Sequence, residues 1–339
     1  MRKIVRLLWI AVVLLALSLV GGMVTISSYA SPVSTTGAED QIVVIPAGAS
    51  QNEIGQILLE QGLVRSRWAF LAATRWLGYD GQLKAGEYRL SASSSLWEII
   101  EKLYRGEVIT YRLTIPEGYT AEQIRTQLLE AESLQGGQVE SLFNDPGRVA
   151  DWVPDERLAQ LKSPLEGYLF PDTYQYTAGM SAADLVDMML SRFRDLWNQE
   201  RLAKLEALGL SIHEAVTLAS IVEKEARLDE ERPIIAAVYL NRLKRNMKLD
   251  ADPTVLYALG KTPGEMLFYK DLEIDSPYNT YRYSGLPPGP IASPGLKSID
   301  AVLNPADVPY LYFVARNDGS HEFAVNYAEH LQNVARYRQ

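Results

Sequence analysis

Two glutamates two residues apart, Glu223 and Glu225 in the stretch "LASIVEKEARLDEERP" (Leu218 to Pro233), are the side chains of this sequence best placed to do chemistry. The usual competitors are scarce. Cysteine is absent, which removes disulfides, thiolate metal sites and a cysteine nucleophile together. The three histidines are His213, His321 and His330, and His213-Glu214 runs on into Ala215, Val216 and Thr217, so no HExxH zinc helix forms. Neither GxSxG nor SxxK occurs, which disfavours the common serine-hydrolase arrangements. Gly260-Lys261-Thr262 has the tail of a phosphate-binding loop, but Val255 stands where its first glycine belongs. Carboxylates must therefore carry any catalysis, as proton donors and acceptors, and no cofactor or metal is expected.

Spacing separates the two glutamates. On a helix, residues two apart point about 200° from each other, so both cannot face one cleft. Glu225 falls four after Ile221, three after Val222, seven after Leu218 and three before Leu228, all apolar. Glu223 falls near Ala219 and Ser220, with Arg227 four residues on as an ion-pair partner. Glu225 is thus the embedded one, and a carboxyl in apolar surroundings keeps its proton closer to neutral pH, as a general acid must. The competing reading of the same spacing is structural: Glu225 reaching the helix edge to pair with an arginine such as Arg242.

The elements that would position them follow from periodicity. "IVVIPAGASQNEIGQILLEQGLV" reads as a strand from Ile42, a turn at Pro46 and Gly48, and a helix with Ser50 and Glu53 at capping-box spacing. The design recurs in "RLTIPEGYTAEQIRTQLLEAESL", where Pro116, Gly118 and Ile124 match Pro46, Gly48 and Ile54, and in part in "EYRLSASSSLWEIIEKLYRGE". Ala182 to Leu208 reads as helical, with Gly209 as its stop, and Pro233 suits the start of the helix after the glutamates. Beyond Met247 the chain is dense in Pro, Gly, Asn and Tyr, predicting long ordered loops of a kind suited to polar ligands such as sugars.

At the N-terminus, Arg2, Lys3 and Arg6 precede an uncharged apolar run from Leu7 to Ile26, and 20 residues of helix span roughly 30 Å, a bilayer core. The rival is a cleaved signal peptide with Ser28-Tyr29-Ala30 at its processing site, although the run exceeds the usual h-region. Either way the flanking positive charges stay in the cytoplasm and the rest is exported. "SSYASPVSTTGAEDQ" then reads as a free tether, with folding starting near Ile42. The net charge of −9 argues against a nucleic-acid partner.

Several long motifs in one order, "EGYLFPDTY" (Glu166 to Tyr174), "LASIVEKEA", "VYLNRL" (Val238 to Leu243), "LDADPTVLYALG" (Leu249 to Gly260), "SPYNTYRYSGLPPGPIASPG" (Ser276 to Gly295) and "YLYFVA" (Tyr310 to Ala315), resemble the YceG-like (MltG-type) endolytic murein transglycosylases, membrane-anchored enzymes that cut peptidoglycan glycan strands. The resemblance implies an α+β chain: residues 1–40 a cytoplasmic tip, transmembrane helix and linker; 41–108 a small LysM-like module; 109–339 a mainly helical catalytic domain with long loops and short strands. It makes Glu225 the catalytic residue, the one spacing had singled out. Placement would be at the inner membrane with the catalytic domain in the periplasm, and the membrane tether favours peptidoglycan synthases as partners.

The expected reaction breaks the β-1,4 bond between N-acetylmuramic acid and N-acetylglucosamine without water, leaving a 1,6-anhydro end, with Glu225 as acid and then base. Supporting roles are open. Asn279 and Tyr281 suit the substrate's N-acetyl group, or Asn279 simply nucleates a turn. Glu223 orients its helix through Arg227; Asp252 caps the next helix at Thr254 or lines the cleft. Glu166 and Asp172 bracket a turn, with a fold role favoured over substrate contact. The alternatives are a glycoside hydrolase in which Asp252 or Glu223 activates water, and a noncatalytic membrane-anchored glycan-binding scaffold.

Overall fold

The computed structural model describes residues 28–337, apart from 36, 135–136, 138 and 262–264. The membrane-length run expected over Leu7–Ile26 lies outside the described residues. Among the described residues no single helix is long and apolar enough to cross a membrane. Helices mix, among the described residues, with three two-stranded sheets in an α+β fold. Two compact units result, one running to Tyr111 and including Tyr176–Gly179, the other comprising Arg112–Gln175 and Met180 onward.

The first unit is built in the order β1 (Gln41–Ile45), α1 (Gln51–Glu60), α2 (Arg67–Trp76), β2 (Gly86–Leu90), α3 (Leu96–Arg105). β1 and β2 pair antiparallel, Val43 opposite Tyr88 and Ile45 opposite Gly86. Strand alternation turns Val43 and Ile45 inward and leaves Ile42 and Val44 outside. Helix α3 buries Leu96, Ile99, Ile100 and Leu103 on one face against Phe70, Leu58 and Tyr88 of the same core. The reciprocal capping box expected at Ser50 and Glu53 is present, and Ser95 with Glu98 forms another.

The stretch expected as a free tether is partly held on this unit. Ala30 is buried in its core, Arg65 donates to the Pro32 carbonyl at 2.6 Å, and the Ser34 amide donates to the Ala92 carbonyl at 2.9 Å. Composition signalled mobility here, but carbonyls and amides of any residue type can be captured once a folded surface offers partners.

In the second unit come β3 (Thr110–Thr114) and its partner β4 (Thr173–Thr177), the division between units falling within both strands. Between these strands lie α4 (Ala121–Glu130) and two short helices, Val139–Phe143 and Asp155–Leu158. After β4 come the longer elements α5 (Ala182–Asp195), α6 (Gln199–Leu208), α7 (Ile212–Glu225), α8 (Arg232–Lys244), α9 (Asp252–Leu259), α10 (Leu296–Leu303), the hairpin β5 (Tyr312–Ala315) and β6 (His321–Ala324), and α11 (Tyr327–Tyr337). The single helix expected over Ala182–Leu208 is two, because the Asn198 side chain accepts from the Arg201 amide and starts α6 afresh. The recurring turns at Gly48 and Gly118 match in backbone as well as sequence, with φ of 77° and 75°, left-handed values that favour glycine.

Helix α7 is the axis of this unit. His213 and every residue from Ala215 to Val222 are buried, so all its sides are covered, with α8 and α10 packed against it. Its charges lie at its two ends, Glu214 in the first turn, where it completes a capping box with Ser211, and Glu223-Lys224-Glu225 in the last.

A candidate active site at the end of helix α7

Successive helical residues point about 100° apart, so the three charged residues ending α7 leave in three directions. Lys224 reaches the Gly118 carbonyl at 2.8 Å, in the turn before α4. Glu223 is enclosed: it pairs with Arg232 at 3.1 Å and accepts from the Ser298 hydroxyl at 2.7 Å and the Gly295 amide at 3.0 Å. Two of these donors open α10, where helix N-terminal amides favour an anion. Arg232 opens α8, so Glu223 fastens the ends of three helices. The expected partner Arg227 is displaced in this role by Arg232, a residue nine positions away that only the helix packing brings in.

Glu225 has none of this compensation. Its carboxylate receives one hydrogen bond, from the Tyr239 hydroxyl of α8 at 3.0 Å. It sits at a helix C-terminus, where carbonyls disfavour negative charge. Burial raises its pKa to about 7, the negative charge of Asp252 adding to the rise and the Tyr239 hydrogen bond opposing it. The side chain is half-buried, since one side opens on a cleft of about 470 Å³ shared with Tyr239, Asp250, Asp252, Tyr281 and Tyr312. Proton supply near neutral pH, access to a ligand and a polar aromatic wall therefore coincide at one carboxyl.

The structural alternative for Glu225, an ion pair with Arg242, is not formed. Arg242 is taken up by Asp250 at 3.0 Å and by the carbonyls of Leu249 at 2.8 Å and Leu311 at 2.6 Å, with its guanidinium over the Tyr312 ring. It braces the cleft floor instead of neutralising Glu225.

The remaining expected residues divide. Asp252 does not cap α9: Ala251 holds the cap position, no side chain caps the helix, and Asp252 begins the first turn because Pro253 follows it there. Its carboxylate accepts from the Tyr281 hydroxyl at 2.5 Å on the cleft wall. Asn279 is fully buried and faces its own loop, donating to the Leu272 and Ile274 carbonyls, both at 2.9 Å, while accepting from the Tyr281 amide at 3.0 Å. It shapes the turn that presents Tyr281. Glu166 lies away from the cleft, buried, accepting from the Ala121 amide at 2.9 Å beside a separate hollow. Asp172 pairs with Arg192 at 3.0 Å on the surface.

Sequence reading missed Tyr239 and Asp250. Tyr239 sits in "VYLNRL", a motif noticed without a role, and only the packing of α8 on α7 brings its hydroxyl to Glu225. Sequence reading also missed the buried pair of His321 and Glu231 at 2.7 Å, which ties β6 to the turn before α8. Among the described residues no group of three or more His, Cys, Asp or Glu is arranged to hold a metal ion.

Comparison with known proteins places this architecture. The model of the YceG-like family matches residues 43–336. An endolytic murein transglycosylase of Bacillus subtilis (strain 168) is 35% identical over 323 residues, covering 91% of this chain and 88% of that protein. A protein of the same name from Streptococcus pneumoniae serotype 2 is 34% identical over 336 residues, covering 90% of this chain and 60% of that protein. The 2.6 Å crystal structure of a yceG-like protein from Listeria monocytogenes matches with a TM-score of 0.58 at 35% identity, covering 88% of this chain and 100% of that one. With motifs, fold and relatives in agreement over most of its length, the chain belongs to the YceG-like family.

Proposed function

We propose that this protein is a peptidoglycan lytic transglycosylase that cuts within glycan strands, with Glu225 as its acid and base. The observation that carries the reading is the state of Glu225: a carboxyl whose pKa is raised to about 7, open to a tyrosine-lined cleft, in a chain 35% identical to an endolytic murein transglycosylase.

The chemistry balances on one carboxyl. Protonated Glu225 gives its proton to the glycosidic oxygen as the bond from C1 of the muramoyl residue breaks, and the N-acetylglucosamine side leaves as an alcohol. Positive charge develops at C1, and the Glu225 carboxylate now stands nearby. It takes the proton of the muramoyl C6 hydroxyl, whose oxygen closes on C1 to give the 1,6-anhydro ring. Glu225 ends protonated, ready for the next strand, and no water is consumed. Tyr239 positions the carboxylate and steadies its charged form between the two steps. The Asp252–Tyr281 pair lines the same cleft; the negative charge of Asp252 keeps Glu225 protonated and favours the developing cation.

The first unit, with its β-α-α-β order and antiparallel strands, is assigned here as a LysM-like glycan module. The apolar run Leu7–Ile26 is assigned as a single-pass anchor with the folded units outside the cytoplasm, a reading supported by its length and by Arg2, Lys3 and Arg6 before it. Such an anchor limits reach to glycan near the bilayer and so favours nascent strands and membrane-bound peptidoglycan synthases as company.

One observation favours a second reading: Asp252 shares the cleft with Glu225, as a hydrolase base would. Mass spectrometry of purified peptidoglycan treated with the full chain separates them. Anhydro-muramoyl ends, absent with Glu225→Gln, are the expected product. Reducing ends would establish hydrolysis, and no cut from either protein would favour a noncatalytic scaffold.

A further inference from the structure

Helix α2 of the first unit carries large apolar side chains that the core does not use. Trp68 is 71% exposed and Trp76 79% exposed, while Trp97 at the start of α3 lies against Trp76 with ring centroids 5.7 Å apart. With Tyr29, Ala30 and Ala72 they line an apolar hollow of about 800 Å³. Two tryptophans left in water beside an apolar hollow gain from being covered, so the face is expected to have an occupant.

What occupies it follows from where the chain enters. The apolar run of the sequence ends at Ile26, and Tyr29 is already a wall of the hollow. Three residues reach at most roughly 10 Å. The next residues give no slack, because Ala30 is buried in the unit's core and Arg65 holds the Pro32 and Val33 carbonyls at 2.6 and 3.3 Å. If Leu7–Ile26 crosses a bilayer, the tryptophan face lies at that bilayer's surface. Charge agrees: α2 contains Arg67 and Arg75 and no acidic residue, although Arg75 also approaches Asp80 at 3.8 Å. Tryptophan with arginine on an amphipathic helix suits the headgroup region of a membrane containing anionic lipid.

We propose that the face formed by Trp68, Trp76 and Trp97 seats in the headgroup layer of the membrane, so that the first unit is docked on the bilayer and not suspended from it. The proposal rests on the anchor reading above. It gives the first unit a second surface, separate from the hollow at the β1–α1 turn around Pro46 and Gly48. Docking would hold the unit at a fixed height and restrict the glycan it meets to strands lying close to the membrane.

The absence of cysteine makes the test direct. Full-length protein carrying a nitroxide at Ala72→Cys, or at Ala47→Cys as control, is reconstituted in vesicles of phosphatidylethanolamine and phosphatidylglycerol. Flotation of the vesicles first reports on the anchor. Power-saturation spectroscopy then compares collisions with lipid-soluble oxygen and with a water-soluble nickel chelate. Docking predicts that oxygen wins at position 72 and nickel at position 47, and that Trp68→Ser with Trp76→Ser returns position 72 to nickel while the protein still floats. Protein that floats with position 72 accessible to nickel would overturn the docking proposal alone. Protein that does not float would remove the anchor reading and the proposal with it. Shielding of position 72 by soluble peptidoglycan fragments, but not by vesicles, would make the face a sugar platform and the proposal wrong.

Discussion

Two carboxyls in the second unit share a pKa raised to about 7, Glu225 and Glu166, and burial is the main cause at both. Their settings differ in what opposes the rise. At Glu166 the Ala121 amide, Tyr257, Lys224 and Lys162 all favour the charged form, and although it borders a hollow of its own the residue keeps only 3% of its surface exposed. Its oxygen holds the first turn of α4, a fastening made by one acceptor and one backbone donor. At Glu225 only Tyr239 favours the charge, Asp252 opposes it, and one side opens on the cleft. A raised pKa thus marks a buried carboxyl, whereas a route for its proton to a ligand marks a candidate catalyst.

Breaking the comparison begins with Glu225→Gln. The amide keeps the shape and loses the proton, so formation of anhydro ends should fall by roughly 10²–10⁴-fold or more, measured by mass spectrometry, while the melting temperature holds. An active Glu225→Gln protein would remove the difference drawn between the two sites.

Glu223→Ala should act on stability first. It removes the enclosed one of the two carboxylates that pair with Arg232 and leaves the more exposed Asp229 at 3.1 Å, so the cost stays below the about 3–5 kcal/mol of a fully orphaned buried charge, read from denaturant midpoints. Loss of activity with stability intact would instead make Glu223 a direct participant.

Glu166→Ala leaves the Ala121 amide unpaired, a cost of about 1–3 kcal/mol, without moving the pH profile of cleavage. The conservative Glu166→Gln, which keeps an acceptor, sharpens the point through pH. A carboxyl whose folded pKa lies above its unfolded value contributes stability that is full below about pH 4.5 and is lost as pH rises through about 7. In Glu166→Gln that loss should shrink, which urea titrations at several pH values would detect.

Finer shifts sharpen the Glu225 side. Cleavage starts from the protonated acid, so kcat/KM should decline above about pH 7. Tyr239→Phe removes the hydrogen bond that favours the carboxylate and should move that decline to higher pH. Asp252→Asn removes the neighbouring negative charge and should move it to lower pH. Shifts of the same sign in both variants would contradict the electrostatic reading of the cleft.

Much of this is legible in the sequence. Local signals carried the strand, turn and helix units, because a capping box or a turn glycine acts over three or four residues and leaves its mark in the sequence. Helical spacing alone separated Glu225 from Glu223, since the 3.6-residue period is a property of the backbone. Local logic failed at Asn198, where one side chain restarted a helix across an unbroken apolar pattern, and at residues 30–34, where a tether composition was captured by a folded surface. Of its two readings of Asp252, a helix cap or the cleft lining, the cap falls because Ala251 occupies that position.

The sequence by itself determined which side chains can do chemistry and that the two glutamates leave their helix on different sides, because residue type and helical period are local; that Glu223 is the enclosed one and Glu225 the one open to a cleft was decided by packing. Only the tertiary structure decided which partners those side chains meet. Arg232 reaches Glu223, Tyr239 reaches Glu225 and Arg242 turns away to Asp250 through the packing of α8 on α7, and Tyr281 meets Asp252 through a loop held by Asn279. Those pairings join positions from 8 to 29 residues apart, and the Ser298 contact to Glu223 joins positions 75 apart. No periodicity encodes such distances; they are settled when the helices close around one core.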